Sequence, residues 1–216
     1  MNKSLSTSAS QQVKPITLAG SATIVTQFFR HAVNSILYQR GVYSPESFER
    51  KQEYGITLFV SKDKEIVDYF DSVLPNLEGW LTKSQLKSLS LVIISSLTGE
   101  TLEKWDFDIQ TVQDNDVTIT GKPLPITARK DLTEISKSIR NVMRQITATV
   151  TFLPLLDTRC SFDLKIYLSK KATVGKEWKE ETTDSVNIKG DSVDVVELRS
   201  WSTGVQRVKG RVTYKC

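Results

Sequence analysis

Histidine and cysteine are nearly missing from this chain. Its 216 residues hold one histidine, His31, and two cysteines, Cys160 and Cys216. A structural zinc site of four Cys/His ligands therefore cannot be assembled. Any Ser-His-Asp or Cys-His centre would have to use His31, which flanks an apolar helical stripe without chemistry of its own. No apolar run approaches the roughly 18 to 20 residues of a membrane span. The opening MNKSLSTSASQQVK has no apolar stretch of a signal peptide, so the expected compartment is cytosolic or nuclear with reduced thiols. Phosphate-loop, dinucleotide, C-x-x-C, H-E-x-x-H and G-x-S-x-G signatures are all lacking. Acidic pairs such as Glu180-Glu181 sit in polar stretches, without the apolar surroundings that raise a carboxyl pKa. The expectation is a protein that is not an enzyme and needs no metal or cofactor.

Charge is present but modest: 29 basic and 25 acidic residues give a net +4. The excess is local. Lys122, Arg129, Lys130, Lys137, Arg140 and Arg144 face only Asp131 and Glu134 between positions 121 and 145, which leaves the remainder balanced. That places the net charge on one predicted helix, without the aromatic interleaving of a base-stacking platform.

Residues 1–14 are rich in Ser, Thr and Gln and read as a flexible tail. Gly20-Ser21 then reads as a cap. Ile24, Val25, Phe28, Phe29, Ala32, Val33, Ile36 and Leu37 form one wide apolar face that Arg40-Gly41 terminates, as expected of a central helix against a sheet. Asp63 opens a second helix with Ile66, Phe70, Val73, Leu74, Leu77, Trp80 and Leu81 on one side; Pro75 predicts a kink or break near positions 71–74. Positions 87–96 read as a buried strand, and Trp105, Phe107 and Ile109 alternate with Lys104, Asp106 and Asp108 as a strand with one wet face. A loop over 113–127 precedes a third helix to about residue 152, striped by Ile135, Ile139, Val142, Met143, Ile146 and Val150 and ended by Pro154. Phe162, Leu164, Ile166 and Leu168 alternate with Ser161, Asp163, Lys165 and Tyr167 as a further strand. The order predicts an α+β fold, helices packed on an antiparallel sheet.

Beyond residue 170 the chain offers little core until two strand-like runs meet at Thr203-Gly204 as a hairpin with poorly defined faces. Poorly defined faces leave register and docking partner weakly specified, which suits a mobile element. An exposed sheet edge accepts a peptide as an additional strand. The strand 161–168 precedes the mobile region, so a movable hairpin there would cover or free its edge.

Two blocks carry a family resemblance: NSILYQRGVY at 34–43, and RQITATVTFLPLL at 144–156 preceded by Ile139-Arg140. Supporting stretches are ITL at 16–18 with Gly20-Ser21, Leu102-Glu103-Lys104-Trp105, Ser161-Phe162-Asp163-Leu164, Glu177-Trp178 and Val212-Thr213-Tyr214-Lys215. Over residues 15–216 the chain resembles the HORMA domain family, most closely its spindle-assembly-checkpoint branch. The resemblance implies a core over 15–169 and a C-terminal seat-belt over 170–216 with an open and a closed arrangement. It makes Ser161, Phe162, Asp163, Leu164, Lys165, Ile166, Tyr167 and Leu168 the strand that receives a peptide. Trp178, Trp201, Val212 and Tyr214 fall in the belt.

The resemblance also implies an asymmetric homodimer, open copy on closed copy, with Arg144, Gln145 and Phe152 at the interface. Arg40 and Glu103 match a salt bridge from the first helix to the sheet, with Trp105 beside them, and Leu18 matches a residue that packs differently in the two states. Implied partners are mitotic arrest deficient protein one, the activator of the anaphase-promoting complex, other mitotic checkpoint complex subunits, and a remodelling AAA+ ATPase with its HORMA adaptor. Neither a membrane nor direct nucleic-acid contact is expected, and the implied locations are nucleus, kinetochore and cytoplasm. The competing readings are an accessory subunit of a translesion DNA polymerase and a nucleic-acid-associated protein using its basic helix. The chain departs from the family pattern in its longer N-terminal tail, in Pro75, and in Trp201 where a smaller aromatic is common.

Overall fold

The computed structural model describes residues 16–112, 118–119, 122–123, 131–181, 187–188 and 192–215. Helix α1 spans Leu18–Gln39, its N-cap Thr17 accepting the Gly20 N–H, and it is buried on almost every side. It packs against both other helices, α2 (Lys64–Thr82) and α3 (Leu132–Thr149). Asp63 caps α2 as its position predicts, accepting the Glu65 N–H, and Asp131 caps α3 in the same way. The apolar stripes point inward: Ile66, Phe70, Leu77 and Leu81 on α2, and Ile135, Ile139, Met143 and Ile146 on α3, are buried.

The main sheet is antiparallel. Its strands are β3 (Leu86–Ser95), β4 (Thr101–Thr111), β7 (Cys160–Leu168), β8 (Val193–Glu197), β9 (Trp201–Ser202) and β10 (Gln206–Lys215). They lie in the order β7-β3-β4-β10-β8, with β9 also pairing β10. Pairing puts Leu89, Phe107 and Gly210 in one row across β3, β4 and β10, and the next inward row is Leu91, Trp105 and Val212. Phe28 meets Phe107 and Trp201 edge-on, so the belt hairpin shares the core of α1. Two short pairs complete the described strands: β1 (Phe48–Glu53) with β2 (Ile56–Ser61), and β5 (Thr118–Ile119) with β6 (Lys122–Pro123).

Several sequence expectations are corrected. The β1–β2 hairpin has only a weak alternating signal, because β1 is mostly exposed and charged. Pro75 does not break α2, which runs on to Thr82. Pro75 and Asp71, whose carbonyl loses its helical donor to the proline, both lie on the exposed side of α2. Gly20-Ser21 is not the cap of α1; Ser21 is fully buried within it. The wet face expected of β4 is partly closed, since Asp106 and, on β3, Ser90 and Val92 are buried on that side. Only Lys137, Arg140 and Arg144 of the six basic residues lie on α3, and Arg140 does not point away but packs its guanidinium near Gly55. Strand β10 alternates strictly, with Gln206, Val208, Gly210, Val212 and Tyr214 inward, so it is an interior strand rather than an ambiguous edge.

His31 is buried edge-on against Tyr54, at the tip of β1–β2. Burial lowers its pKa; Glu53 works against that shift, while Lys51 and Arg30 reinforce it. The native state therefore holds His31 neutral, and the unfolded chain takes up its proton near the ordinary value of about 6.5. Stability should be complete above that pH and fall as pH drops through it. Urea midpoints at pH 7.5 and 5.5 should differ more for the wild type than for His31→Phe. Replacing Pro75 with Ala should raise unfolding free energy by about 1–3 kcal/mol in the same assay.

Candidate functional site: an open edge and the strap around it

Strand β7 lies at one end of the sheet. It pairs with β3 over its whole length, Cys160 with Ser95 through Leu168 with Leu86, and no described strand lies on its other side. All of residues 161–168 named above fall on this strand. Phe162 turns toward the helices, meeting Tyr43 and Tyr69 edge-on. Leu164, Ile166 and Leu168 share that side, while Asp163, Lys165 and Tyr167 take the opposite face by the strand's alternation. Half of the backbone donors and acceptors of β7 are thus unpaired by strand, which is the chemistry of strand addition.

Beside the N-terminal half of β7 a cleft of about 220 Å³ is lined by Tyr43, Tyr69 and Phe162 with Asp63, Glu65 and Asp163. Burial, with Asp163 adding to it, pushes the Tyr69 hydroxyl up to about 12. Aromatic walls and three carboxylates suit a cationic side chain.

From β7 the chain turns back on α2. Ser169 donates its N–H to the Gln85 carbonyl, Gln85 donates to the Lys171 carbonyl at 3.3 Å, and Trp80 Nε1 donates to the Thr173 carbonyl at 3.1 Å. Trp178 stacks edge-on against Trp80 at 5.2 Å between centroids, with its own Nε1 buried and without a hydrogen-bond partner. Three residues later Glu181 is on the other face of the sheet, 2.5 Å from Lys165 Nζ. The chain therefore passes around the open edge of β7 between positions 178 and 181. Residues Asn187 and Ile188 then line a cleft of about 550 Å³ on that face, with Lys104, Asp106, Arg211 and Thr213. The chain ends in β8 and β10, at the opposite side of the sheet from β7.

The hairpin at that far side is held by polar anchors. Ser21 Oγ lies 2.7 Å from Thr203 Oγ1 and donates to Gln206 Oε1 at 2.8 Å, and Gln206 Nε2 donates to the Leu81 carbonyl at 3.1 Å. All three side chains are buried. Gln145 accepts the Arg199 N–H at 2.7 Å and donates to the Glu197 carbonyl at 3.2 Å. Trp201, Val212 and Tyr214 are buried in the hairpin's inner face. Gly210 is crowded, for a Cβ there would lie 2.9 Å from the Leu198 side chain.

Arg144 and Phe152 are exposed on and just after α3, whereas Gln145 is engaged with the belt backbone. Leu18 starts α1 and is half-buried. Arg40 Nε donates to Glu103 Oε1 at 2.7 Å, Trp105 Nε1 donates to Glu103 Oε2 at 3.1 Å, and Arg40 also reaches the Pro154 carbonyl. This buried cluster joins the end of α1, strand β4 and the connection into β7. The sequence pattern reads Ser21 only as a cap, passes over Gln206 and the Tyr43–Tyr69 cleft, and makes Glu181 one of a solvated acidic pair, whereas the structure buries Ser21 and pairs Glu181 with Lys165. Buried Ser and Gln inside apolar patterns were the available signal for the first two.

The HORMA domain model matches residues 21–206. The chain belongs to the HORMA domain family. Within it, the "Mitotic spindle assembly checkpoint protein MAD2A" of Homo sapiens is 44% identical over 200 residues, 93% of each chain. The "DNA polymerase zeta subunit 2" of Drosophila melanogaster is 25% identical over 154 residues, 71% of this chain and 72% of its own. A chain in "Crystal Structure of Mitotic Checkpoint Complex" superposes with a TM-score of 0.77 at 34% identity, covering 91% of this HORMA chain and 99% of that one. A Caenorhabditis elegans HTP-2 structure "bound to HIM-3 closure motif" shares the fold, with a TM-score of 0.71 at 13% identity, over 92% of this chain and 91% of that one. This HORMA protein is a spindle-checkpoint component rather than an enzyme.

Replacing Arg40 with Met leaves the Glu103 carboxylate buried without its guanidinium. Urea unfolding should show a loss of about 3–5 kcal/mol.

Proposed function

We propose that this protein is a checkpoint adaptor that captures a partner peptide as an added strand on β7, ties its belt around it, and thereby inhibits the activator of the anaphase-promoting complex to delay anaphase. The observation that carries this reading is the passage of residues 178–181 around an edge of β7 that has no described strand beside it. Strand addition draws affinity from main-chain bonds, so mitotic arrest deficient protein one and the activator can share one edge. A strap around the guest lowers its off-rate without further contacts.

The hairpin of β8–β10 would occupy the β7 edge in a second, open arrangement and leave it for the far side on closing. Such a change breaks one ladder and the Ser21–Gln206 and Gln145 anchors before the other ladder forms, so conversion is slow beside ordinary loop motion. A guest binding only the closed form shifts the population by its differential affinity. Open and closed copies pair through Arg144 and Phe152. Other mitotic checkpoint complex subunits bind the closed form, and an AAA+ ATPase with its HORMA adaptor returns it to the open one. The work is done in nucleus, kinetochore and cytoplasm.

Purified protein should resolve on ion exchange into two slowly interconverting monomers. A fluorescein-labelled peptide from either named partner of the same organism should convert both to one slowly dissociating species. One monomer, with both peptides unretained, overturns the reading. Arg144→Glu should leave peptide capture intact and abolish self-association in sedimentation velocity. Gln145 is left unchanged in that variant, because it holds the belt.

A further inference from the structure

Lys165 stands at the centre of a small charged group on the last strand of the sheet. It sits on the helix-free face of β7, with Asp163 two residues before it on the same face. Its Nζ lies 2.7 Å from Asp163 and 2.5 Å from Glu181. Its side chain is only 18% exposed, against 49% for Glu181. Burial works to lower the Lys165 pKa, but the two carboxylates outweigh it and leave it raised. Asp163 supplies one acceptor from within the strand, and Glu181 supplies a second from outside it.

Glu181 has a different position. The strap is held to the helix side by Lys171, Thr173 and Trp178, all acting on α2 or on the turn after it. Among the described residues, its one ion pair on the far face after crossing the edge of β7 is Glu181 with Lys165. The three residues from 178 to 181 reach about 10 Å when extended, so this contact fixes how closely the strap follows the edge.

We propose that Lys165 and Glu181 are positioning residues forming an electrostatic clasp, which fastens the first leg of the strap over the β7 edge and sets how fast an added strand escapes. The proposal rests on strand capture at β7, but the clasp exists without a guest and can be tested without one. A partly exposed pair is screened by salt and modest in strength, which makes the clasp tunable by ionic strength rather than permanent.

Hydrogen exchange of the full chain tests the clasp directly. In 20 mM salt, Lys165→Met and Glu181→Gln should each speed exchange of amides 172–181 about two- to fivefold. Amides of β3 and β4 should keep the wild-type rate, and Lys165→Arg should preserve the wild-type rate in the strap. In 0.5 M NaCl the wild type should approach the rate of the two neutral variants. The second arm uses a fluorescein-labelled dodecapeptide selected by phage display on the wild-type protein. Its dissociation should be faster by the same factor in both neutral variants and should become salt-sensitive only when the pair is intact. Unchanged strap exchange in both neutral variants overturns the clasp, whether or not a peptide is found. Changed exchange with no peptide obtained in the selection supports the clasp and counts against strand capture.

Discussion

The structure turns on one constraint: a sheet has two edges, and the C-terminal hairpin covers the hydrogen bonds of only one flank. Here β10 is paired with β4, and β8 and β9 follow it, so β7 at the other flank is left with its outer row of amides and carbonyls unpaired by any described strand. The strap is drawn across that flank because the chain must travel from the end of β7 to the opposite side of the sheet. Site and strap are therefore consequences of a single strand order rather than two separate features.

Different parts of the fold are held by different kinds of contact. The end of α1, strand β4 and the lead into β7 are joined by Arg40, Glu103 and Trp105, deep in the interior. A paired charge of that depth is strongly destabilising to break, so the lead into β7 keeps its place. The hairpin adds single hydrogen bonds from Ser21, Gln145 and Gln206 to its β10–β4 ladder, its buried apolar face and the ion pairs of Arg211 with Asp106 and Lys215 with Glu100. The strap has only single hydrogen bonds such as that from Trp80, the Trp178 ring contact and the Glu181–Lys165 pair, each hydrogen bond worth about 0.5–1.5 kcal/mol.

Much of this was legible in the residues. The wide apolar face of α1, the Asp63 cap and the alternation from Phe162 to Leu168 each follow from a local period, and each stands where the period puts it. The hairpin β1–β2 was hidden because Glu49, Arg50 and Lys51 are exposed and carry no apolar rhythm. Pro75 misled for a related reason: propensity records the cost of proline in a helix but not the side on which it falls. Of the residues matched to a dimer surface, Arg144 and Phe152 are exposed, but Gln145 is bonded to the backbone at Glu197 and Arg199. Its neighbour Arg144 shares its sequence context, so only the fold separates the two.

Ser21, Thr203 and Gln206 have a consequence for how the hairpin is aligned. Their hydrogen bonds are made only when Gln206 faces Ser21 and the Leu81 carbonyl. A slip of β10 by one residue would turn Arg207 and Lys209 inward and leave those buried polar groups unsatisfied, a cost of about 1–3 kcal/mol for each. The polar cluster thus selects one register where a purely apolar seat would tolerate several.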